Sequence, residues 1–247
     1  MKDSVERAIE AIKNSKRTTV FSGAGISVES GIPPFRGENG LWNKFNPEIL
    51  DINYFFQHPE KSWKAIKEIF YDFFGKAKAN DAHILLGELE KKGLIHSIIT
   101  QNIDGLHQEG GSKEVYEFHG SSRELICTGC GKKYKAEDIN LDVLPPLCDD
   151  CGALLKPDFV FFGEPIPEPA RTQSFAETDL ADVFLVIGTT GEIMPASLIP
   201  FEASRKGKTI IEINVEPSNF TRQITGIFLQ GKATEMMRRI YDGILTK

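Results

Sequence analysis

The four cysteines of the chain stand in two pairs, Cys127-Thr-Gly-Cys130 and Cys148-Asp-Asp-Cys151, with 17 residues between them. Each pair is C-x-x-C, and the separation falls inside the spacing of a zinc ribbon. Two tight turns would each present two thiolates to one tetrahedral Zn2+, with Gly129, Gly131 and Gly152 letting the backbone curl around the metal. Four thiolates leave no open coordination position, so such a zinc is structural. A pair of disulfides or a redox dithiol is the other reading open to this pattern. Gly23-Ala24-Gly25 follows Arg17–Ser22, which reads as a buried strand, an arrangement in which glycine lets a backbone approach a pyrophosphate at a helix N-terminus. The third glycine of G-x-G-x-x-G is missing, Val28 standing there, and a plain tight turn is the alternative. His119, followed by Gly120, titrates near neutral pH and is a candidate base, although an isolated histidine can equally be structural. His83, after Asn80-Asp81, reads as a packing or capping group, and His58, His96 and His107 as surface or local packing.

Such residues act only if secondary structure brings them together. Residues 4–14 place Val5, Ala8, Ile9 and Ile12 on one face, an opening helix. Strands are predicted over 17–22, about 95–100, about 182–187 and 209–213, with a strand-like run Val115–Phe118. Helices are predicted over 81–92, 168–178, 196–206 and about 232–245. Strands alternating with helices imply an α/β fold with a parallel sheet. Ligands of such sheets lie off the carboxyl ends of the strands, where Gly23-Ala-Gly25, Gln101-Asn-Ile-Asp104, Gly188-Thr-Thr190 and Asn214-Val-Glu216 would converge. Two stretches interrupt the alternation. Residues 38–80 form a helical insert with Trp63, Ile66, Ile69, Phe70, Phe73 and Phe74 at helical spacing, a stripe that reads as core or inter-domain packing. Residues 121–156 hold the ribbon. The expected division is a discontinuous main domain (1–37, 81–120 and 157–247) and a small domain of the two inserts.

Composition bounds the alternatives. The 247 residues are 40% hydrophobic and 26% charged, as in an ordinary globular protein. Net charge is −6, and no basic run suggests direct nucleic-acid binding. No apolar run approaches the roughly 18 residues of a membrane span, and Met1–Arg7 lacks a signal-peptide core. The expectation is a soluble cytoplasmic protein of undetermined oligomeric state.

Taken together, Gly23-Ala-Gly-Ile-Ser27, Glu29-Ser-Gly-Ile-Pro33, Phe35-Arg-Gly37, Thr100–His107 and His119-Gly120 resemble the sirtuin family of NAD-dependent protein lysine deacylases. The resemblance extends to the C-x-x-C pairs, Lys156-Pro157, Phe162-Gly-Glu164, Gly188-Thr-Thr190, Pro195-Ala196 and Ile213-Asn214, in order over about residues 20–235. It implies a Rossmann-like parallel sheet with helices on both faces, carrying a smaller domain of helical insert and zinc ribbon. It implies NAD+ as cofactor, one structural Zn2+, and acyl-lysine proteins or peptides as partners. By the resemblance, Gly23, Ala24, Gly25 and Ser27 cradle the NAD phosphates, and Phe35 and Arg36 lie in a loop that closes over the cofactor. Gln101, Asn102, Ile103 and Asp104 meet the nicotinamide ribose and carboxamide, Asp104 as an acceptor for the amide. Gly188, Thr189, Thr190, Asn214 and Glu216 hold the adenosine half, with Lys232 and Ala233 near the adenine. Val160, Phe162, Gly163 and Glu164 contact the substrate. In the implied reaction the acyl oxygen attacks the ribose carbon bearing nicotinamide. His119, with Asn102 and Asp104 as the other catalytic residues, then serves as general base on a ribose hydroxyl. An ADP-ribosyltransferase, an NAD hydrolase or a non-catalytic NAD- or acyl-lysine-binding module are the alternatives on this scaffold.

Three departures from the family pattern stand out: Pro34 stands where a polar residue is usual, Gly191-Glu192 where apolar ones are commoner, and Phe161 where tryptophan is frequent. Family members preferring succinyl or malonyl lysine resemble one another in a Tyr-x-x-Arg pair on the helical insert, because a buried acyl carboxylate needs a paired cation. Here the matching positions, counted from Trp63, hold Ile66 and Ile69, and no arginine occurs from residue 37 to 122. Neutral acyl groups are the expected substrates.

Overall fold

The computed structural model describes residues 3–35, 40–73 and 76–246, apart from the side chain of Phe73. Helix α1 (Ser4–Asn14) buries Val5, Ala8, Ile9 and Ile12 and leads into strand β1 (Thr18–Ser22). A 3-10 stretch, Ala24–Ser30, follows in place of a regular helix. The insert contains α2 (Ile52–Gln57) and α3 (Pro59–Ile66), the latter continuing as a π-helix over Lys67–Phe73. Next come α4 (Asp81–Lys91), β2 (Ser97–Thr100), α5 (Leu106–Glu109) and β3 (Val115–Glu117). The ribbon carries β4 (Gly120–Cys127), β5 (Lys133–Lys135) and β6 (Leu155–Phe159). The chain ends with α6 (Ala170–Leu180), β7 (Val183–Ile187), α7 (Leu198–Arg205), β8 (Thr209–Asn214), β9 (Ile227–Gln230) and α8 (Ala233–Leu245). Among the described residues no helix is long and apolar enough to cross a membrane.

The main sheet has six strands in the order β3-β2-β1-β7-β8-β9, all parallel. Counting its strands along the chain, this is the doubly wound dinucleotide-binding order, with its reversal between β1 and β7. Side chains of β1 and β7 alternate between two cores, so both strands are buried along their whole length and β7 reads as an unbroken apolar run. Val20 and Leu185 face α1, α4 and α8 together with Ile12, Leu86, Met237 and Ile240. Phe21, Phe184 and Val186 face the other way, with Ile199 and Ala203 of α7 and Phe220. His83 closes a capping box with Asn80 at the start of α4, as its position suggested.

A third core joins the helical insert to the three-stranded antiparallel sheet β5-β4-β6. Trp63, Ile66, Ile69 and Phe70 are all buried there, against Leu125, Leu155, Phe159 and Phe161. The Trp63 indole N–H donates to the Leu155 carbonyl at 2.9 Å, so Trp63, Ile66 and Ile69 of the stripe are packing. Phe74, also part of the expected stripe, lies outside the described residues.

Candidate active site

The reversal of strand order leaves a crevice between the ends of β1 and β7, and the two backbones touch at its floor. The Gly25 amide donates to the Gly188 carbonyl at 2.8 Å, and the Gly23 amide to the Ile187 carbonyl at 3.0 Å. A Cβ on Gly25 would lie 2.6 Å from the Gly188 Cα, and Gly188 itself has φ +62°. Side chains at either position would push these segments apart, which settles the choice between a bland turn and a site of close approach.

Above this floor lies a cavity of about 990 Å3. It is lined by Gly23, Ala24, Gly25, Phe35, Gln101, Asn102, Ile103, His119, Val160, Phe162, Gly163 and Glu164. Gly188, Thr189, Thr190, Asn214, Glu216, Lys232 and Ala233 complete the set of expected residues on its wall. The Gln101 amide donates to the Thr189 hydroxyl at 3.1 Å, and the Asn214 amide to the Thr189 carbonyl at 3.0 Å, so three strand ends are tied together. Arg36, expected beside Phe35, lies outside the described residues.

His119 sits just after β3, half-buried in the cavity wall. Its Nδ1 lies 3.1 Å from the Gln101 carbonyl. A carbonyl only accepts, so Nδ1 carries the proton and Nε2 keeps its lone pair. Burial lowers the pKa of His119, partly opposed by this hydrogen bond, so the neutral base is present at neutral pH.

Two expected residues sit elsewhere. Ser27 and Asp104 line a smaller adjoining pocket with Ala24, Ile32, Phe35, Asn102 and Ile103. The Ser27 hydroxyl donates to the Asp104 carboxylate at 2.7 Å and accepts from the Asn102 amide at 3.1 Å. Ser27 is fully buried and lines this smaller pocket, its hydroxyl shared between Asp104 and Asn102. Burial raises the Asp104 pKa, against hydrogen bonds from the Leu106 amide and Ser27 that favour its charged form.

The four thiols cluster with all sulfurs within 4.8 Å of one another. Cys127 and Cys151 are 3.4 Å apart and Cys130 and Cys148 3.7 Å apart. A disulfide needs about 2.05 Å. A tetrahedron with Zn–S of about 2.3 Å has edges of about 3.8 Å, so the donor set fits one metal and excludes the disulfide reading.

The Sir2 family model matches residues 23–195. The chain belongs to the Sir2 family. It is 43% identical to the NAD-dependent protein deacylase of Pyrococcus furiosus over 243 residues, covering 94% of this chain and 95% of that protein. It is 39% identical to the NAD-dependent protein deacetylase of Thermotoga maritima, covering 95% and 96% of the two chains. A solved Sir2 complex with a p53 peptide and NAD+ superposes with a TM-score of 0.91 at 36% identity over the whole of both chains.

The Sir2-family cavity also has walls that sequence reasoning missed. Val28, Trp42, Leu50, Phe70, Met194 and Arg222 line it. The apolar ones carry no signal that separates them from core. Glu29 also lines it, and its carboxylate accepts from the Thr234 amide at 3.1 Å and hydroxyl at 2.8 Å, joining the 3-10 stretch to the start of α8.

Proposed function

We propose that this Sir2-family chain removes acetyl and other neutral acyl groups from protein lysine side chains in an NAD+-dependent reaction. The products are nicotinamide, O-acyl-ADP-ribose and free lysine. The observation that carries this reading is one cavity in which a dinucleotide crevice, a histidine with a free Nε2 and the Val160–Glu164 loop face each other. When bound, NAD+ supplies an electrophilic ribose carbon with nicotinamide as leaving group, and the acyl acceptor.

The chain's own residues do the rest. Gly23, Ala24 and Gly25 admit the pyrophosphate over their bare backbone, and Thr189, Asn214, Glu216, Lys232 and Ala233 hold the adenosine end. Asn102 and Asp104 orient the nicotinamide end, the Asp104 carboxylate as acceptor for its amide. His119 takes a ribose hydroxyl proton on Nε2 while Gln101 holds Nδ1. Val160, Phe162, Gly163 and Glu164 carry the acyl-lysine segment. The third core encloses the acyl end with Phe70, Phe159 and Phe161, which keeps water from the reacting groups. Cys127, Cys130, Cys148 and Cys151 hold one structural Zn2+ that fixes the ribbon.

Mass spectrometry of early turnovers with an acetyl-lysine peptide and NAD+ tests this reading. The acetyl group should leave the peptide and appear on ADP-ribose. Free acetate with unmodified ADP-ribose would rule out transfer, and ADP-ribose on the peptide would show a different transferase.

A further inference from the structure

Lys156, the second residue of β6, is one of the few buried charges in the molecule, only 6% exposed. Its ammonium donates to the carbonyls of Pro157 and Phe159, each at 2.8 Å. It lies 3.0 Å from Glu164 Oε2 and 4.3 Å from the centre of the Phe161 ring. The same Glu164 oxygen accepts from the Phe161 amide at 2.8 Å. Residues 156–164 are thereby closed into a loop knotted around one buried cation. Asp158, the other nearby carboxylate, is drawn outward to Lys133 at 2.8 Å.

The knot decides which backbone groups of this loop stay available. The Phe162 amide and carbonyl are taken by Leu50 and Ile52, the Phe161 carbonyl by the Glu164 amide, and the Val160 amide by His119. Among the described residues, the Val160 carbonyl and the Gly163 amide group are left without a backbone partner. Both residues line the cavity. A buried ion pair is generally no more stabilising than apolar side chains of the same size, so stability alone does not account for this one.

We propose that Lys156 is a positioning residue for the acyl-lysine substrate, its buried ammonium fixing residues 157–164 so that the Val160 carbonyl and Gly163 are free to pair with an extended peptide. The inference rests on the deacylase reading above. It assigns Lys156 a role in peptide recognition and none in binding NAD+.

The test compares the wild type, Lys156→Met, Glu164→Leu and the double variant Lys156→Met/Glu164→Leu in the zinc-loaded enzyme. Peptide affinity is read by fluorescence anisotropy of an acetyl-lysine peptide, with KM for peptide and NAD+ and Tm measured alongside. Lys156→Met leaves Glu164 without its cation, the double variant removes that penalty, and Glu164→Leu alone is the reference for losing a residue that itself lines the peptide site. We expect peptide affinity and peptide kcat/KM to fall by about 10–100-fold in both variants lacking Lys156, the scale of a misplaced binding element. KM for NAD+ should stay within about twofold. Recovery of both Tm and peptide affinity in the double variant would overturn the proposal, as would equal changes in the two KM values. A wild type that binds the peptide without turning it over would contradict the deacylase reading and leave this inference standing. A wild type that does not bind it would contradict both.

Discussion

His119 owes its chemistry to a carbonyl. Because the Gln101 oxygen can only accept, the ring is held in one tautomer, with Nε2 open for a proton. Removal of the ring by His119→Ala should lower deacetylation by about 10^2–10^4-fold, the usual worth of a general base. NAD+ binding, read by calorimetry, should persist, since the floor of the crevice is built from other residues. Near-normal turnover would show that another group takes the proton. The lowered His119 pKa also fixes the sign of a pH effect. The base is active when neutral, so the acid limb of kcat/KM, which reports the free enzyme, should fall below the ordinary histidine value of about 6.5. A limb above that value would place a different group in the role.

At the scale of elements, the β1–β7 crossing and the π-helix each set a limit. Gly25→Ala would force a methyl group against the Gly188 backbone, and overpacking of this kind costs about 1–3 kcal/mol. Both Tm and NAD+ affinity should drop, because the same contact shapes the floor. The π-helix over Lys67–Phe73 decides which insert residue reaches the cavity: Phe70 lines it, while Ile66 and Ile69 turn into the third core. Lys67, the nearest cation of that segment, pairs with Asp72 at 2.9 Å. Among the described residues, no lysine or arginine of the insert lines the cavity. An unpaired carboxylate there would cost several kcal/mol, so kcat/KM for an acetyl peptide should exceed that for its succinyl counterpart by at least about 100-fold. A succinyl preference would contradict this account of the pocket.

Across the whole molecule, legibility followed burial. Strands β1, β7 and β8 could be read from sequence because both faces are covered, so β-branched and apolar residues dominate them and β7 is apolar throughout. Strand β9, at the sheet edge, is only four residues long with alternating burial, too short a signal to separate from a loop. Site residues at strand ends were equally readable, whereas the depth of Ser27 and Asp104, and the linings Trp42, Leu50 and Phe70, depend on how the insert closes over the sheet. Burial also predicts the response to acid. His83, His107 and His119 all have lowered pKa values, His83 to about 4, chiefly from desolvation. Their unfolded forms bind protons below about pH 6.5, whereas their folded forms bind them only at lower pH. His83 should therefore remove up to about 1.4 kcal/mol of stability per pH unit as pH falls from about 6.5 toward 4, with His107 and His119 acting in the same direction. Denaturant midpoints that stay flat across that window would contradict the burial of these rings.

The central claim is that the acylated peptide itself starts the reaction by attacking the ribose carbon. Nicotinamide release, followed with and without an acetyl-lysine peptide at saturating NAD+, tests it most directly. Release should depend on the acetylated peptide, remain near background without it, and not be restored by the same peptide with a free lysine. Equal release in the absence of peptide would contradict the account and show an NAD hydrolase on this scaffold.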